Sequence, residues 1–253
     1  MRELRQLFRP GAGPRAAGSG PLSRAVILFC LLSAGLVLPA ARPALAVGDS
    51  RAVEEALAGL AERYQGMGSF SADYERTTFS PASDGVFKAQ ATQTAEGVLE
   101  YLAATSLRLD QKKPAVEVMS TDGTTAWWYL KKQNQVHVYR DLDLAGGLSP
   151  LLSFLSGLDA LREKYLIGPP EAADVREGTT GLVLRDRSDP GGGDYVVVYC
   201  GGGHELSGFR LVSMTGEKTD FFLKNQRVNP GFPGERFVFT PPGGTAVIEE
   251  TEG

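Results

Sequence analysis

The sequence has few of the residues from which metal sites and nucleophilic centres are built. It contains two histidines and two cysteines, whereas a metal site needs several clustered His, Cys, Asp or Glu side chains. Cys200 and His204 are close in sequence, but the three glycines between them support a catalytic pair poorly. We therefore predict no metal site and no cofactor, and we interpret Cys200 as a structural residue beside a flexible turn.

Motifs of common enzyme classes are also absent. The chain has no Gly-x-Ser-x-Gly nucleophile elbow, no phosphate-binding loop and no dinucleotide fingerprint. Its acidic residues are scattered, so the sequence does not single out a pair of carboxylates of the kind that glycosidases use. We predict that the protein is not an enzyme.

No apolar run reaches the roughly 20 residues that a membrane-spanning helix needs. The run 25–38 is shorter, follows several arginines and precedes Ala44-Leu45-Ala46, a small-x-small pattern typical of signal-peptidase cleavage. Cys30 lies inside the run and is not preceded by small residues, so it does not resemble a lipid-attachment site. We predict a cleaved signal peptide at 1–46 and a single domain at 47–253.

Positive charge is scarce after that cleavage. Removing six arginines and one glutamate from 26 basic and 30 acidic residues leaves 20 and 29, a formal net charge of −9. This charge disfavours nucleic acid and anionic lipid headgroups as general partners, because binding to either usually shows as a basic patch, and we predict no nucleic-acid partner. One cysteine remains, so no intramolecular disulfide can form and packing alone must hold the fold.

Helical patterns occur in two places. From Ser50 an apolar stripe with helical spacing runs to Tyr64 and ends at Gly66. Ser149 and Pro150 are a typical helix start, and we expect that helix to break at Gly157 before a second short helix at 159–165.

Most of the remaining chain alternates between apolar and polar residues in short runs with short links. This pattern is typical of antiparallel strands. We predict an α+β fold with roughly ten or eleven strands, the last of them at 236–239, and three helices.

One Asp-Gly pair separates two β-type runs, and the second run contains three consecutive aromatic residues. Asp-Gly favours a two-residue type I′ hairpin loop. That loop would place Val118 opposite Trp127 and Val116 opposite Tyr129, on a face that we interpret as interior. Trp128 would fall on the other face, so both faces carry apolar residues and both need a cover.

The large number of apolar residues in the predicted helices and strands has two interpretations. Three short helices over a curved sheet can enclose a concave apolar space that takes a hydrophobic ligand. The same residues can also form an ordinary packed core, and the pattern alone favours this, because an apolar stripe with helical spacing is usually core.

Several motifs, in order along the chain, resemble the outer-membrane lipoprotein carrier family, LolA. They cover nearly the whole mature chain, and the closing Phe-x-Phe-x-Pro-Pro-x-Gly run is the most distinctive. They are Phe70-Ser-Ala-Asp-Tyr-Glu-Arg, Gly97-Val-Leu-Glu-Tyr, Ser120-Thr-Asp-Gly-Thr-Thr-Ala-Trp-Trp-Tyr, Gln135-Val, Ser149-Pro-Leu-Leu and Phe237-Val-Phe-Thr-Pro-Pro-Gly-Gly-Thr-Ala-Val.

The resemblance implies an incomplete antiparallel β-barrel whose opening is covered by an N-terminal helix and a short helical lid. Such a protein is a periplasmic monomer that shields the acyl chains of outer-membrane-directed lipoproteins. Its partners are an ATP-driven release complex in the inner membrane and a lipoprotein receptor in the outer membrane. Strand parity and the resemblance together predict these residues of the acyl cavity: Leu107, Leu109, Val118, Trp127, Tyr129, Leu151, Leu152, Leu155 and Leu158.

One position departs from the family pattern. In the family the strand after Gly97 runs into an Arg-Pro pair, whose arginine ties the lid closed. Ala103 and Ala104 stand there in this chain. Arg108 and Arg76 are the candidate replacements.

Other functions remain open at this point. A LolA-like module that senses a lipid or lipoprotein is the main alternative, and it is disfavoured because such regulators carry a further domain after this one. A periplasmic hydrolase using Cys200 and His204 is a third. The outer-membrane receptor is disfavoured because it needs a lipid-attachment cysteine at the mature N-terminus.

Overall fold

The computed structural model describes residues 50–81, 91–103, 105–140 and 155–250, with the side chains of Ala91 and Leu158 excepted. The predicted signal peptide and the predicted helix start at Ser149 lie outside these residues. Helix α1 spans Ser50–Arg63 and helix α2 spans Leu158–Lys164. Both agree with the expected N-terminal helix and the expected short helix after Gly157.

Within these residues twelve strands form a single sheet, one or two more than the sequence predicts. Along the sheet the order is β12-β6-β5-β4-β3-β2-β1-β11-β10-β9-β8-β7, so β12 and β7 are the edges and the sheet is open, as an incomplete barrel requires. The strands are β1 Ser69–Ser80, β2 Ala91–Leu102, β3 Ser106–Lys113, β4 Glu117–Thr121, β5 Ala126–Leu130, β6 Gln135–Tyr139, β7 Tyr165–Gly168, β8 Thr179–Asp186, β9 Tyr195–Gly201, β10 Leu206–Val212, β11 Lys218–Val228 and β12 Ala246–Glu250.

The last strand differs from the prediction. The expected strand at 236–239 is replaced by a 3₁₀ turn at Gly234–Phe237, and the chain pairs again only at β12. β12 runs parallel to β6, whereas the other strand pairs of the described residues are antiparallel. Asn134 anchors this edge, because its Nδ2 donates to the Gly244 carbonyl at 2.9 Å and its own carbonyl accepts from the Ala246 N–H at 3.0 Å.

The β4–β5 hairpin has a four-residue loop, so the predicted two-residue turn is wrong. The carboxylate of Asp122 accepts hydrogen bonds from the backbone N–H groups of Thr124 and Thr125, at 2.8 and 2.9 Å. This wraps both threonines into the loop. Val118 consequently lies opposite Tyr129 rather than Trp127. A slip of two residues leaves every side chain on its predicted side of the hairpin.

The inner face of the sheet is the face that carries Phe70, Leu99 and Leu107, each at most 1% exposed. Helix α1 buries its predicted stripe there: Val53, Ala56, Leu57 and Leu60 are at most 4% exposed. Leu161 of α2 joins the same core. Burial of each such leucine stabilises the fold by about 1.5–3 kcal/mol, so α1 and α2 are held by packing rather than by their own propensity.

The outer face is covered over β3–β6 by the segment that contains the 3₁₀ turn. Phe237 is fully buried there, and its carbonyl accepts a hydrogen bond of 2.6 Å from Ser120 Oγ. Arg236 binds the buried carboxylate of Glu100, with Nη2 3.0 Å from Oε1. The C-terminal segment is therefore part of the fold and not a loose tail.

A second cover lies over the outer face of β8–β11. Asp174 is 1% exposed and accepts a 2.6 Å hydrogen bond from the Tyr195 hydroxyl. Burial alone would raise the pKa of this carboxyl, but hydrogen bonds from Tyr195, Lys218 and Arg210 lower it below its ordinary value. This cover is thus an ionic network around a charged carboxylate.

Gly97 provides a test of the packing between β1, β2 and β3. A Cβ at this position would lie 2.4 Å from the Asp110 carbonyl oxygen and 2.6 Å from the Tyr74 hydroxyl. We expect Gly97→Ala to lower the free energy of unfolding by about 1–3 kcal/mol, the usual cost of overpacking, in urea denaturation followed by circular dichroism.

Gly168→Ala is the matched control, because nothing lies within 4 Å of a Cβ built there. It should change stability by less than about 0.5 kcal/mol. Equal losses in the two variants would show that the close approach at Gly97 does not matter.

Candidate functional site

A groove lies on the inner face between β1 and β5. The groove is open, with about 320 Å³ of empty space that includes open solvent and a cavity volume of only about 20 Å³. Its lining combines four large apolar or aromatic side chains with three polar ones: Tyr74, Leu109, Met119 and Trp128, and Arg76, Gln111 and Glu117. Large apolar walls with a few polar groups are typical of sites for hydrophobic ligands.

Strand register sets the apolar wall. Leu109 pairs with Met119 and Met119 pairs with Trp128, so their side chains stand side by side on the inner face. Tyr74 pairs with Gly97, and its ring occupies the space that a side chain at Gly97 would fill. The missing side chain at Gly97 therefore shapes one side of the groove.

Trp128 is fixed in position although it is only half-buried. Its Nε1 donates to Glu117 Oε2 at 3.3 Å, and its ring lies 5.6 Å from the ring of His137. A large apolar surface held toward an open groove is available to a ligand.

Tyr74 shows that one side of the groove is poorly solvated. Burial raises the pKa of its hydroxyl to about 12, against the opposing effect of the positive charge on Arg76. The Arg76 charge is thus close enough to act on the groove wall.

The predicted cavity residues divide between the two faces of the sheet. Leu107 and Leu109 lie on the inner face, in the main core. Val118, Trp127 and Tyr129 lie on the outer face, in a separate cluster under Phe239. The prediction that all five share one interior face is therefore wrong. Both faces of the hairpin are apolar, and it is the cover formed by the C-terminal segment that makes the Trp127 side the outer one.

The predicted lid residues are only partly described. Leu155 is 4% exposed and packs in the inner core. Leu158 begins α2, and its side chain is not described, while Leu151 and Leu152 lie outside the described residues. The hydroxyls of Ser156 and Tyr101 are 3.4 Å apart, which brings the segment before α2 onto β2.

Met119, Trp128 and Tyr74 were not among the predicted site residues. The alternation of β4 and β5 does place Met119 and Trp128 on one face, so parity identifies them as neighbours. The alternation does not show which of the two faces is the inner one, because that depends on segments distant in sequence.

The match to a family model covers most of the same sheet. The model of "Outer membrane lipoprotein carrier protein LolA" matches residues 66–240, more than half of the chain. The chain belongs to the LolA family.

Curated members of the LolA family are distant relatives at good coverage. The outer-membrane lipoprotein carrier protein of Albidiferax ferrireducens is 26% identical over 183 residues, 71% of this chain and 84% of the relative. That of Vibrio campbellii is 24% identical over 192 residues, 76% of this chain and 84% of the relative. Among solved structures, the LolA superfamily protein NE2245 from Nitrosomonas europaea aligns with 74% of this chain and 98% of its own, at 11% identity and a TM-score of 0.40.

Ala103, where the resemblance predicts a lid-closing arginine, is exposed, and its N–H donates to the Gly68 carbonyl at 2.9 Å. Arg108 cannot replace the latch, because its side chain lies on the outer face and donates to Asp110 and to the Arg236 carbonyl. Arg76 remains as the candidate on the inner face.

Cys200 and His204 have separate packing roles in this LolA-family fold. Cys200 is 2% exposed in the inner core, and burial raises the pKa of its thiol to about 11. The ring of His204 covers Gly59 of α1, where a Cβ would approach it to 2.2 Å. The described residues contain no group of three or more His, Cys, Asp or Glu that could hold a metal ion. Within those residues, no helix is both long and apolar enough to cross a membrane.

The thiol of Cys200 gives a test of this core. A buried thiol with a raised pKa carries little thiolate at neutral pH and is hidden from reagents. We expect the chain from residue 47 to react with Ellman's reagent at pH 8 at least about 100-fold more slowly in buffer than in 6 M guanidinium chloride. Equally fast labelling in buffer would place Cys200 at the surface.

Proposed function

We propose that the protein is a periplasmic lipoprotein carrier that shields acyl chains on the inner face of its sheet. The observation that carries the proposal is the groove of Leu109, Met119 and Trp128 in a chain of the LolA family. Trp128 and Met119 are half-buried, so they offer apolar surface that the described part of the fold does not bury completely.

The energetic need for such a carrier follows from the cost of hydrating an acyl chain. Each exposed methylene costs roughly 0.8 kcal/mol, so a long acyl chain in water costs on the order of 10 kcal/mol. A carrier must offset most of this cost and still release the chain. An open groove with a large aromatic wall suits reversible binding better than a closed core does.

Membership of the LolA family supports the route that we propose. The carrier accepts lipoproteins from an ATP-driven release complex in the inner membrane and delivers them to a receptor in the outer membrane, acting as a monomer without hydrolysis of its own. The predicted signal peptide at 1–46 would deliver it to the periplasm, where this route runs.

The two tryptophans provide a matched pair for testing the site, because they are adjacent in β5 and lie on opposite faces. A lipopeptide with a diacylated S-glycerylcysteine is the probe. In Trp127→Phe, binding should change the fluorescence of Trp128, whereas in Trp128→Phe it should leave the fluorescence of Trp127 nearly constant.

Removing the side chains should give the same contrast. Trp128→Ala should weaken lipopeptide binding about tenfold or more and reduce lipoprotein release from spheroplasts, because it removes a wall of the groove. Trp127→Ala is the control; it should lower stability and leave the affinity of the folded protein within about twofold of wild type. If Trp127 rather than Trp128 responds, the ligand binds the outer face and the assignment of the groove is wrong.

A further inference from the structure

Polarity changes along the strands of the inner face. Cross-strand pairing aligns side chains into rows that run across β1 to β5. One row contains Phe70, Tyr101 and Leu107, all at most 1% exposed. The neighbouring row contains Leu99, Leu109, Met119 and Trp128. The second row is apolar throughout, and the first is apolar as far as β3, where Thr121 of β4 follows Leu107.

The next row is mixed. Tyr74 pairs with Gly97, Gly97 with Gln111, and Gln111 with Glu117. Gln111 is held by its Nε2, which donates to the Ala115 carbonyl at 3.0 Å. The lining of the groove therefore changes from apolar to polar between one row and the next, a step of two residues along each strand.

Arg76 lies one further row in the same direction. Its cross-strand neighbours, Ala95 and Phe221, are 3% and 0% exposed, so the guanidinium rises from an apolar surrounding into the groove. Glu117 lines the same groove and brings a negative charge, so the polar side of the groove carries one charge of each sign.

We propose that this gradient orients the bound lipid, with the acyl chains on the row of Leu109, Met119 and Trp128 and the glyceryl ester carbonyls beside Arg76. The inference rests on the proposed carrier function. A guanidinium donates strongly to carbonyl oxygens. The carboxylate of Glu117, which lines the same groove, accepts from the amide N–H of the acylated cysteine.

Two lipopeptides of equal chain length test the orientation. One carries two palmitoyl esters on S-glycerylcysteine, and the other carries two hexadecyl ethers and lacks the carbonyls. We expect wild type to bind the diester about tenfold more tightly, the usual effect of one hydrogen bond to a charged group. Arg76→Gln should reduce this preference to about twofold by weakening the diester alone, and Arg76→Lys should keep most of it.

Lys112→Gln is the matched control, since it removes a positive charge from an exposed residue next to Gln111 in β3. It should leave both affinities unchanged. Equal binding of the two lipopeptides by wild type, or an equal loss for both in Arg76→Gln, would overturn the orientation while leaving the carrier function standing. Failure of wild type to bind either lipopeptide would overturn both the proposed orientation and the proposed carrier function.

Discussion

A sheet that is apolar on both faces has to be covered on both, and the arrangement of this molecule follows from that requirement. Helix α1 packs against β8 and α2 against β7, so both helices lie toward one half of the inner face. The C-terminal segment and the ionic network around Asp174 cover the outer face. The groove lies in the other half of the inner face, between β1 and β5. Its position is thus a consequence of where the covers pack.

The elements that depend on local sequence were predictable. The stripe of α1, the short helix after Gly157 and the antiparallel character of the sheet all follow from spacing and from turn residues within a few positions. The hairpin register was wrong by two residues because a side-chain contact, from the Asp122 carboxylate to two backbone N–H groups, competes with the intrinsic preference of Asp-Gly.

The inner face of the hairpin was not predictable from its own residues. Val118, Trp127 and Tyr129 on one side are as apolar as Met119 and Trp128 on the other, and local patterning cannot choose between them. The choice is made by Phe237 and Phe239, more than 100 residues later in the chain; the Tyr129 and Phe239 rings are 5.1 Å apart. β12 was not predicted for a similar reason. It pairs in parallel with β6, far earlier in the chain, so no short turn in the sequence marks the pairing.

The parallel pairing of β12 also bears on how the chain folds. The Thr245 hydroxyl bonds Asn134, 111 positions earlier, so the edge beside β6 is completed only when the last strand arrives. Until then β6 presents unpaired backbone and the Trp127 side of β5 lacks its cover. During synthesis or translocation from the N-terminus, the nascent sheet would be most exposed to aggregation at this stage. The nascent sheet would thus need protection from water until its C-terminal segment arrives.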